Sequence, residues 1–276
     1  VTASPSTRYR LDDLRRLATD LASSLGVAPA RASALATHLL WFDAAGASSH
    51  GIGTLPTWLE RIESKEIDPL AHGRAVLEHA GTAVFDAHRG LPHLALDTAA
   101  RIASEKARDV GIGIVRVRNI GPTGPAAPVA AGLAIGPFVA IIAGPSPSLT
   151  LAMPTPDGLP AIYDSELTNE AGFSASPPEG WLGTFAPWIS TVAGDDGWMI
   201  LAFSVPALES LSTFHERISR TPRSSVDGRG ALWPETLATR RLEARERGVS
   251  LDPTATAALK GWAGRANVLW PSEFGG

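Results

Sequence analysis

Residues 120 to 156, "IGPTGPAAPVAAGLAIGPFVAIIAGPSPSLTLAMPTP", carry no charged side chain. So apolar a run can leave water in only two ways, by entering a bilayer or by entering a protein interior. Pro128, Pro137, Pro145 and Pro147 interrupt it, and the flanking basic or aromatic anchors of a spanning helix are missing. The stretch predicts a buried helix followed by a buried strand, with the remaining elements wrapped around them. Exposed on a monomer it would form a large apolar patch, which predicts association of two copies as a homodimer.

The segments around it supply candidates for that wrapping. "LDDLRRLATDLASSLG" spaces Leu11, Leu14, Leu17, Leu21 and Leu25 at three and four residues and stops at Gly26. "APARASALATHLLWFDAAG" repeats the pattern and ends at Gly46, and a third helix is expected near residues 54 to 64. "RAVLEHAGTAVFDAH" has strand character, "LPHLALDTAARIASEKARDVG" is helical, and "IGIVRVRN" alternates as a strand rich in β-branched residues. Gly, Pro, Ser and Trp dominate from Asn169 to Asp196, "WMILAFSV" reads as another strand, and the tail from Pro206 to Ala263 is mostly helical. The expectation is a mixed α/β fold. A helical domain is built from both termini, residues 1–75 and 205–276, around a central α/β domain, residues 76–204, with a mixed or antiparallel sheet.

Composition removes several function classes. A chain of 276 residues with 44% hydrophobic content can bury a substantial core. Its net charge of −4 is small and its basic residues are scattered, so nucleic acid is not an expected partner. There is no cysteine, hence no disulfide framework, thiolate nucleophile or cysteine-based metal site. The opening "VTASPSTRYR" lacks the apolar core of a signal peptide, and the expected location is the cytoplasm, with no membrane association.

Common catalytic motifs are also missing. "GIGIVR" at Gly111 lacks the third glycine of a dinucleotide fingerprint and precedes a strand instead of following one, so it reads as a turn. The seven histidines form no H-x-x-x-H or H-x-H pair, and no metal is expected. Ser49 beside His50 is no hydrolase signature, because adjacent residues in one turn point in different directions and there is no G-x-S-x-G elbow. The pattern alone leaves His50 open between a proton-transfer residue and a polar group at a helix boundary, with Ser49 as a cap for the following helix.

A resemblance adds to this. "FDAAGASSHGIGTLPTWLERIESKEIDP" is similar to the signature of the malate/L-lactate dehydrogenase family, the second NAD(P)-dependent type without a classical Rossmann domain, which runs roughly A-D-x-R-G-x-x-S-H-G-x-x-R-L-P-x-Y. "FDAHRGLPHLALDTAARIASEKARDVGIGIVRVRN" resembles the family's next helix and strand, and "LWPETLATRRLEARERGVSLDPTATAALKGWA" its closing segment. The resemblance implies that family's fold. It also implies that His50 exchanges a proton with the oxygen of a 2-oxo acid or the nitrogen of a cyclic imine while nicotinamide delivers hydride to carbon, a task that suits an imidazole titrating near neutrality.

The same comparison exposes departures. Thr54 stands where the family has the arginine expected to clamp a substrate carboxylate. Where the family reads N-S-x-H-x-G this chain reads "NIGPTG", keeping Asn119 and Gly124 and placing Pro122 at the second histidine. Of the family's cofactor-lining segments, "GPSPSLTLAMP" keeps a trace of one and nothing matches the other; the chain is shortened between about Ala143 and Trp198. These losses lead to the expectation that nicotinamide binding and redox chemistry are gone and no cofactor is used. The cleft would then catalyse a cyclisation or isomerisation of a relatively apolar small molecule. His50 would be its acid or base. Asp164, in "AIYDSE", would orient a polar group, the alternative being a plain strand-end aspartate. Ser49, Thr54, Asn119, Pro122, Trp181 and Trp188 would line the pocket, the alternative for the tryptophans, Trp198 included, being core packing. Two other readings stay open, a reductase using NADH or NADPH and a non-catalytic binding relative.

Overall fold

The computed structural model describes residues 7–145, 148–167, 197–220 and 231–274. They belong to two compact units, a terminal unit of residues 1–70 and 237–276 and a central unit of residues 71–236.

In the terminal unit, α1 (Leu11–Ser24) buries Leu14, Leu17, Leu21 and their alanine neighbours, the face set by its leucine spacing. It packs on α2 (Pro29–Ala45), which starts with proline in its first turn and ends at Gly46 in the left-handed conformation. After two 3-10 turns, α3 (Leu55–Glu63) buries Leu55, Trp58, Leu59 and Ile62. The distant C-terminal segment completes this unit. A short strand β1 (Arg8–Tyr9) pairs antiparallel with the late strand Val249–Ser250. The last helix, Pro253–Ala266, packs on α1 and α3 after Asp252 caps its first two free N–H groups at 2.8 and 2.9 Å.

Among the described residues the central unit holds an eight-stranded sheet. Its strands are β2 (Arg74–Glu78), β3 (Thr82–Asp86), β4 (Ile112–Arg118), β5 (Phe138–Ala143), β6 (Leu149–Met153), β7 (Ala161–Asp164), β8 (Trp198–Ser204) and β9 (Ala231–Leu232), in the spatial order β2-β3-β4-β8-β5-β6-β7-β9. The late strand in the terminal unit is then β10. Only the pair β3–β4 is parallel, joined through α4 (Pro92–Val110); every other pairing is antiparallel. Helix α4 lies so close to β4 that a Cβ on Gly113 would sit 1.9 Å from the Ala103 carbonyl oxygen. That explains one glycine of "GIGIVR"; the other, Gly111, is the left-handed C-cap of α4, as a turn requires.

The charge-free run forms α5 (Ala127–Ile135) and β5, as its pattern predicts, and then a further strand, β6, which the reading of a single strand missed. The chain reverses where the Gly144 N–H bonds to the Ser148 carbonyl at 2.9 Å, so the second half of the run pairs with the first. Ala127, Val129, Ala130, Leu133, Phe138, Ala140, Ile142 and Ala152 are all buried within the chain. The stretch therefore finds its cover without a second copy. Trp198 is 3% exposed and packs against Gly144, so it serves the core. The tail contributes α6 (Leu211–Arg220), α7 (Pro234–Arg247) and α8, the last helix described above.

Candidate functional site

The Ser-His-Gly loop of the terminal unit is held from behind by a buried carboxyl group. Helix α2 stops at Gly46, and the chain turns through Ser48–His50 and Ile52–Thr54 before α3. Asp43, on the last turn of α2, accepts the Ile52 N–H at 2.7 Å through Oδ2. Its carboxyl also lies flat against Gly51, where a Cβ would be 2.3 to 2.5 Å from the carboxyl atoms. Asp43 thereby fixes both residues that follow His50. Its Oδ1 is buried without a hydrogen-bond partner among the described residues. Burial pushes the carboxyl up to about 7, the Ile52 N–H opposing only part of the rise. A pocket of about 200 Å³ reaches this carboxyl, lined also by Arg8, Ser48, Arg240 and Glu243.

His50 is half-buried, its ring tilted on Phe42 at 5.8 Å. Phe42 also meets the ring of His38 at 5.6 Å, whose pKa burial lowers to about 4, keeping it neutral. Ser49 sits inside the first 3-10 turn; the N-cap of α3 is Thr54, so Ser49 is not its cap. The Thr54 hydroxyl donates to the Gly51 carbonyl at 2.8 Å, which uses its single proton within the loop.

In the central unit, Asp86 at the end of β3 lies opposite Arg118 at the end of β4. Asp86 accepts from Asn119 Nδ2 at 2.8 Å, Arg118 Nε at 3.0 Å and the His88 N–H at 3.0 Å. Burial pushes this carboxyl up, but the hydrogen bonds from Asn119, His88 and Arg118 outweigh it and hold it below its ordinary value. His88, Arg89 and Asn119 all have φ between 50° and 55°, left-handed backbone that non-glycine residues rarely adopt. Such strain persists only where surrounding bonds hold it, here the Asp86 knot and the Arg89 N–H to Asn119 carbonyl bond of 2.9 Å. Pro122 follows on an exposed part of the same loop.

Asp164 is fully buried at the end of β7. It accepts from the Thr150 hydroxyl at 2.7 Å and the Glu166 N–H at 3.0 Å, and it also takes the Ala127 N–H. Burial raises it to about 7 against those hydrogen bonds. Its carboxyl thus ties β6, β7 and the start of α5 together.

The structure places Ser49, His50 and Thr54 in one loop of the terminal unit, and Asn119, Pro122 and Asp164 in the central unit. Trp181 and Trp188 lie outside the described residues. Sequence reasoning missed Asp43 and Asp86. The first was visible as the acidic residue of the A-D-x-R-G pattern, the second as the carboxylate ending the "TAVFD" strand.

Comparison with known proteins adds a frame to this geometry. The sequence pattern of the malate/L-lactate dehydrogenase family matches residues 9–158. L-sulfolactate dehydrogenase of Methanocaldococcus jannaschii is 32% identical over 105 residues, covering 38% of this chain and 30% of that enzyme. Delta(1)-pyrroline-2-carboxylate reductase 1 of Burkholderia ambifaria is 24% identical over 170 residues, covering 56% of this chain and 50% of that enzyme. The sequence matches thus span half or less of these relatives. In three dimensions, malate dehydrogenase from Pyrococcus horikoshii superposes with a TM-score of 0.81 at 19% identity, over 98% of both chains. That likeness shows the fold.

These findings correct two expectations. The reading of a non-redox cyclase or isomerase fails, because the family and the matched relatives are dehydrogenases and reductases. The expectation of no cofactor fails with it, since dehydrogenases of this family use NAD(P)H. The error was to infer an absent cofactor from absent side-chain motifs. Main-chain N–H groups and helix N-termini can hold nucleotide phosphates without leaving such a motif. With the family pattern covering more than half of its length and the fold matching throughout, the chain belongs to the malate/L-lactate dehydrogenase family.

Proposed function

We propose that the chain is an NAD(P)H-dependent reductase of a small 2-oxo acid or cyclic imine, with His50 as the proton donor. The observation that carries this reading is the Ser-His-Gly loop fixed by Asp43, which leaves His50 half-buried against Phe42. A bound reduced nicotinamide would supply hydride to the substrate carbon. His50 would give its proton to the carbonyl oxygen or imine nitrogen, so that one C=O or C=N bond becomes C–OH or C–NH, and would recover a proton from solvent. The loop that Asp43 clamps keeps the imidazole in one place during this transfer, where misplacement is costly in rate.

The donor set at the end of β3–β4 suits an anionic cofactor. His88 and Arg89 are exposed and Arg118 half-exposed there, at the carboxyl ends of the parallel strands where ligands of α/β sheets usually lie. The first turn of α4 follows directly, with no side-chain cap on its N–H groups. Asp86 would orient Arg118 and Asn119 toward such a group. Asp164 acts in this reading as a buried tie under α5, and Pro122 as a loop residue beside Asn119. Because the hydroxyl of Thr54 is spent on its own turn, a substrate carboxylate would need an anchor other than position 54.

Titration of NADH and NADPH fluorescence by the protein, followed by oxidation of the tighter binder with a panel of 2-oxo acids and cyclic imines, tests the reading. Binding of neither nucleotide at millimolar concentration, with no oxidation by any substrate, would overturn it. A cytoplasmic location and a homodimer belong to the same proposal. Since the charge-free run is covered by its own chain, the homodimer rests on the family resemblance alone, and a monomer in sedimentation equilibrium would remove it. No described helix is long and apolar enough to cross a membrane.

A further inference from the structure

The terminal unit carries a second, larger groove, of about 600 Å³, lined by Arg10, Arg15, Arg241 and Arg245 together with Trp41, and among the described residues its single lining carboxylate is Asp12. We propose that this groove is a binding site for a small organic anion with two or more negative charges, a phosphate ester or a polycarboxylate, separate from the reacting substrate.

The charge imbalance is the first argument. In a chain of net charge −4, a concave surface gathers four guanidinium groups, and Asp12 neutralises only Arg15, at 2.8 Å. Among the described residues, Arg241 and Arg245 have no carboxylate partner. Arg10, Arg241 and Arg245 are left as three like charges that an anion among them would neutralise.

Preorganisation is the second. Arg241 Cζ lies 5.9 Å from the Trp41 ring centroid and Arg10 Cζ 4.9 Å from that of Phe274, so each cation sits over an aromatic face. Their N–H edges stay available for the paired oxygens of a carboxylate or phosphate. Burial holds Arg241 below its ordinary value, which marks a cation partly stripped of water without a counter-charge. Arg15 presents a similar feature, with its Nε buried and without a hydrogen-bond partner among the described residues while Nη1 meets Asp12. The groove's volume is that of a site for a small metabolite rather than for a single inorganic ion.

The floor of the groove also touches the His50 loop through rings. Trp41 meets Phe42 edge-on at 5.4 Å, and Phe42 meets His50 at 5.8 Å. An anion bound over Trp41 would therefore sit two ring contacts from His50 without entering the reaction.

Calorimetric titration of the full chain with citrate, glycerol 3-phosphate and inorganic phosphate tests this. The expected result is binding of citrate or glycerol 3-phosphate with Kd of about 1 mM or tighter at moderate salt, and weaker binding of inorganic phosphate. The double variant Arg241→Gln/Arg245→Gln should weaken it at least tenfold, whereas Lys260→Gln, outside the groove, should leave it unchanged. Which organic probe wins separates a phosphate ester from a polycarboxylate. Failure of all three anions to bind below 10 mM, or equal binding by the double variant, overturns the proposal. A wild-type dimer that dissociates in the double variant overturns it too, by making the groove a subunit contact. None of these readouts depends on NAD(P)H turnover, so they are distinct from the test of the reductase reading.

Discussion

Replacing Gly51 by alanine drives a methyl group into Asp43. The added carbon would lie 2.3 Å from Oδ1, 2.4 Å from Cγ and 2.5 Å from Oδ2, where carbon and its neighbours need well over 3 Å. The carboxyl must swing away by about 1 Å, and the 2.7 Å bond to the Ile52 N–H breaks. Leaving a buried N–H without its acceptor costs about 1–3 kcal/mol, and the displaced χ angle adds about 0.5–1.5 kcal/mol. Gly51→Ala should therefore destabilise by about 2–4 kcal/mol.

Asp43→Ala breaks the same bond but opens the space that the methyl needs. On that background Gly51→Ala meets no carboxyl, so its penalty should vanish, and the cycle should show a coupling of about 2–4 kcal/mol. Urea denaturation of wild type, both single variants and the double variant measures it. If Gly51→Ala subtracts the same stability with and without Asp43, the two residues do not act on each other and the account of the His50 loop is wrong. If the coupling is found, the same cycle measured on NAD(P)H oxidation should show that disturbing either residue lowers turnover, since both hold the segment next to His50.

Three further outcomes are expected. His50→Ala should leave urea denaturation unchanged and lower NAD(P)H oxidation by about 10²–10⁴, the usual range for a lost general acid; wild-type turnover would exclude His50 as the donor. Asp43 and Asp164 are both pushed up to about 7, so the folded chain binds more protons than the unfolded chain above the ordinary carboxylate range. Their contribution to stability is then full at pH below about 4 and is lost as pH rises through about 7, by about 1.4 kcal/mol per pH unit for each group. Asp164→Asn should flatten that slope in thermal melts taken from pH 4 to 8, and an unchanged slope would refute the assignment. Gly113→Ala should cost more than about 3 kcal/mol, because the obstacle at 1.9 Å is the Ala103 backbone and cannot rotate away; a melt within a degree of wild type would show that α4 can slide on β4.

Local patterns in this sequence gave away the elements whose rules are themselves local. The leucines of α1, the proline start and glycine end of α2, and the alternation of β4 could each be read from neighbours a few residues away. The hairpin β5–β6 could not, because what makes it two strands is their pairing with each other and that of β5 with β8, a partner that comes after a long stretch of chain. The site followed the same division. The Ser-His-Gly motif marked His50, but the group that fixes it, Asp43, acts through a buried contact with Gly51 and Ile52 across the loop, and spacing alone assigns it no task. Asp86 similarly depends on β4 lying in register beside β3, which brings Arg118 and Asn119 to it. The sharpest misreading came from treating absence as evidence. Thr54 and Pro122 stand where the resemblance implies an arginine and a histidine, and the Thr54 hydroxyl is spent on its own turn. Those facts bear on which acid is held and by what. They do not exclude hydride chemistry, because the loop that Asp43 holds behind His50 and the strained, arginine-bearing end of β3–β4 are both formed in spite of them.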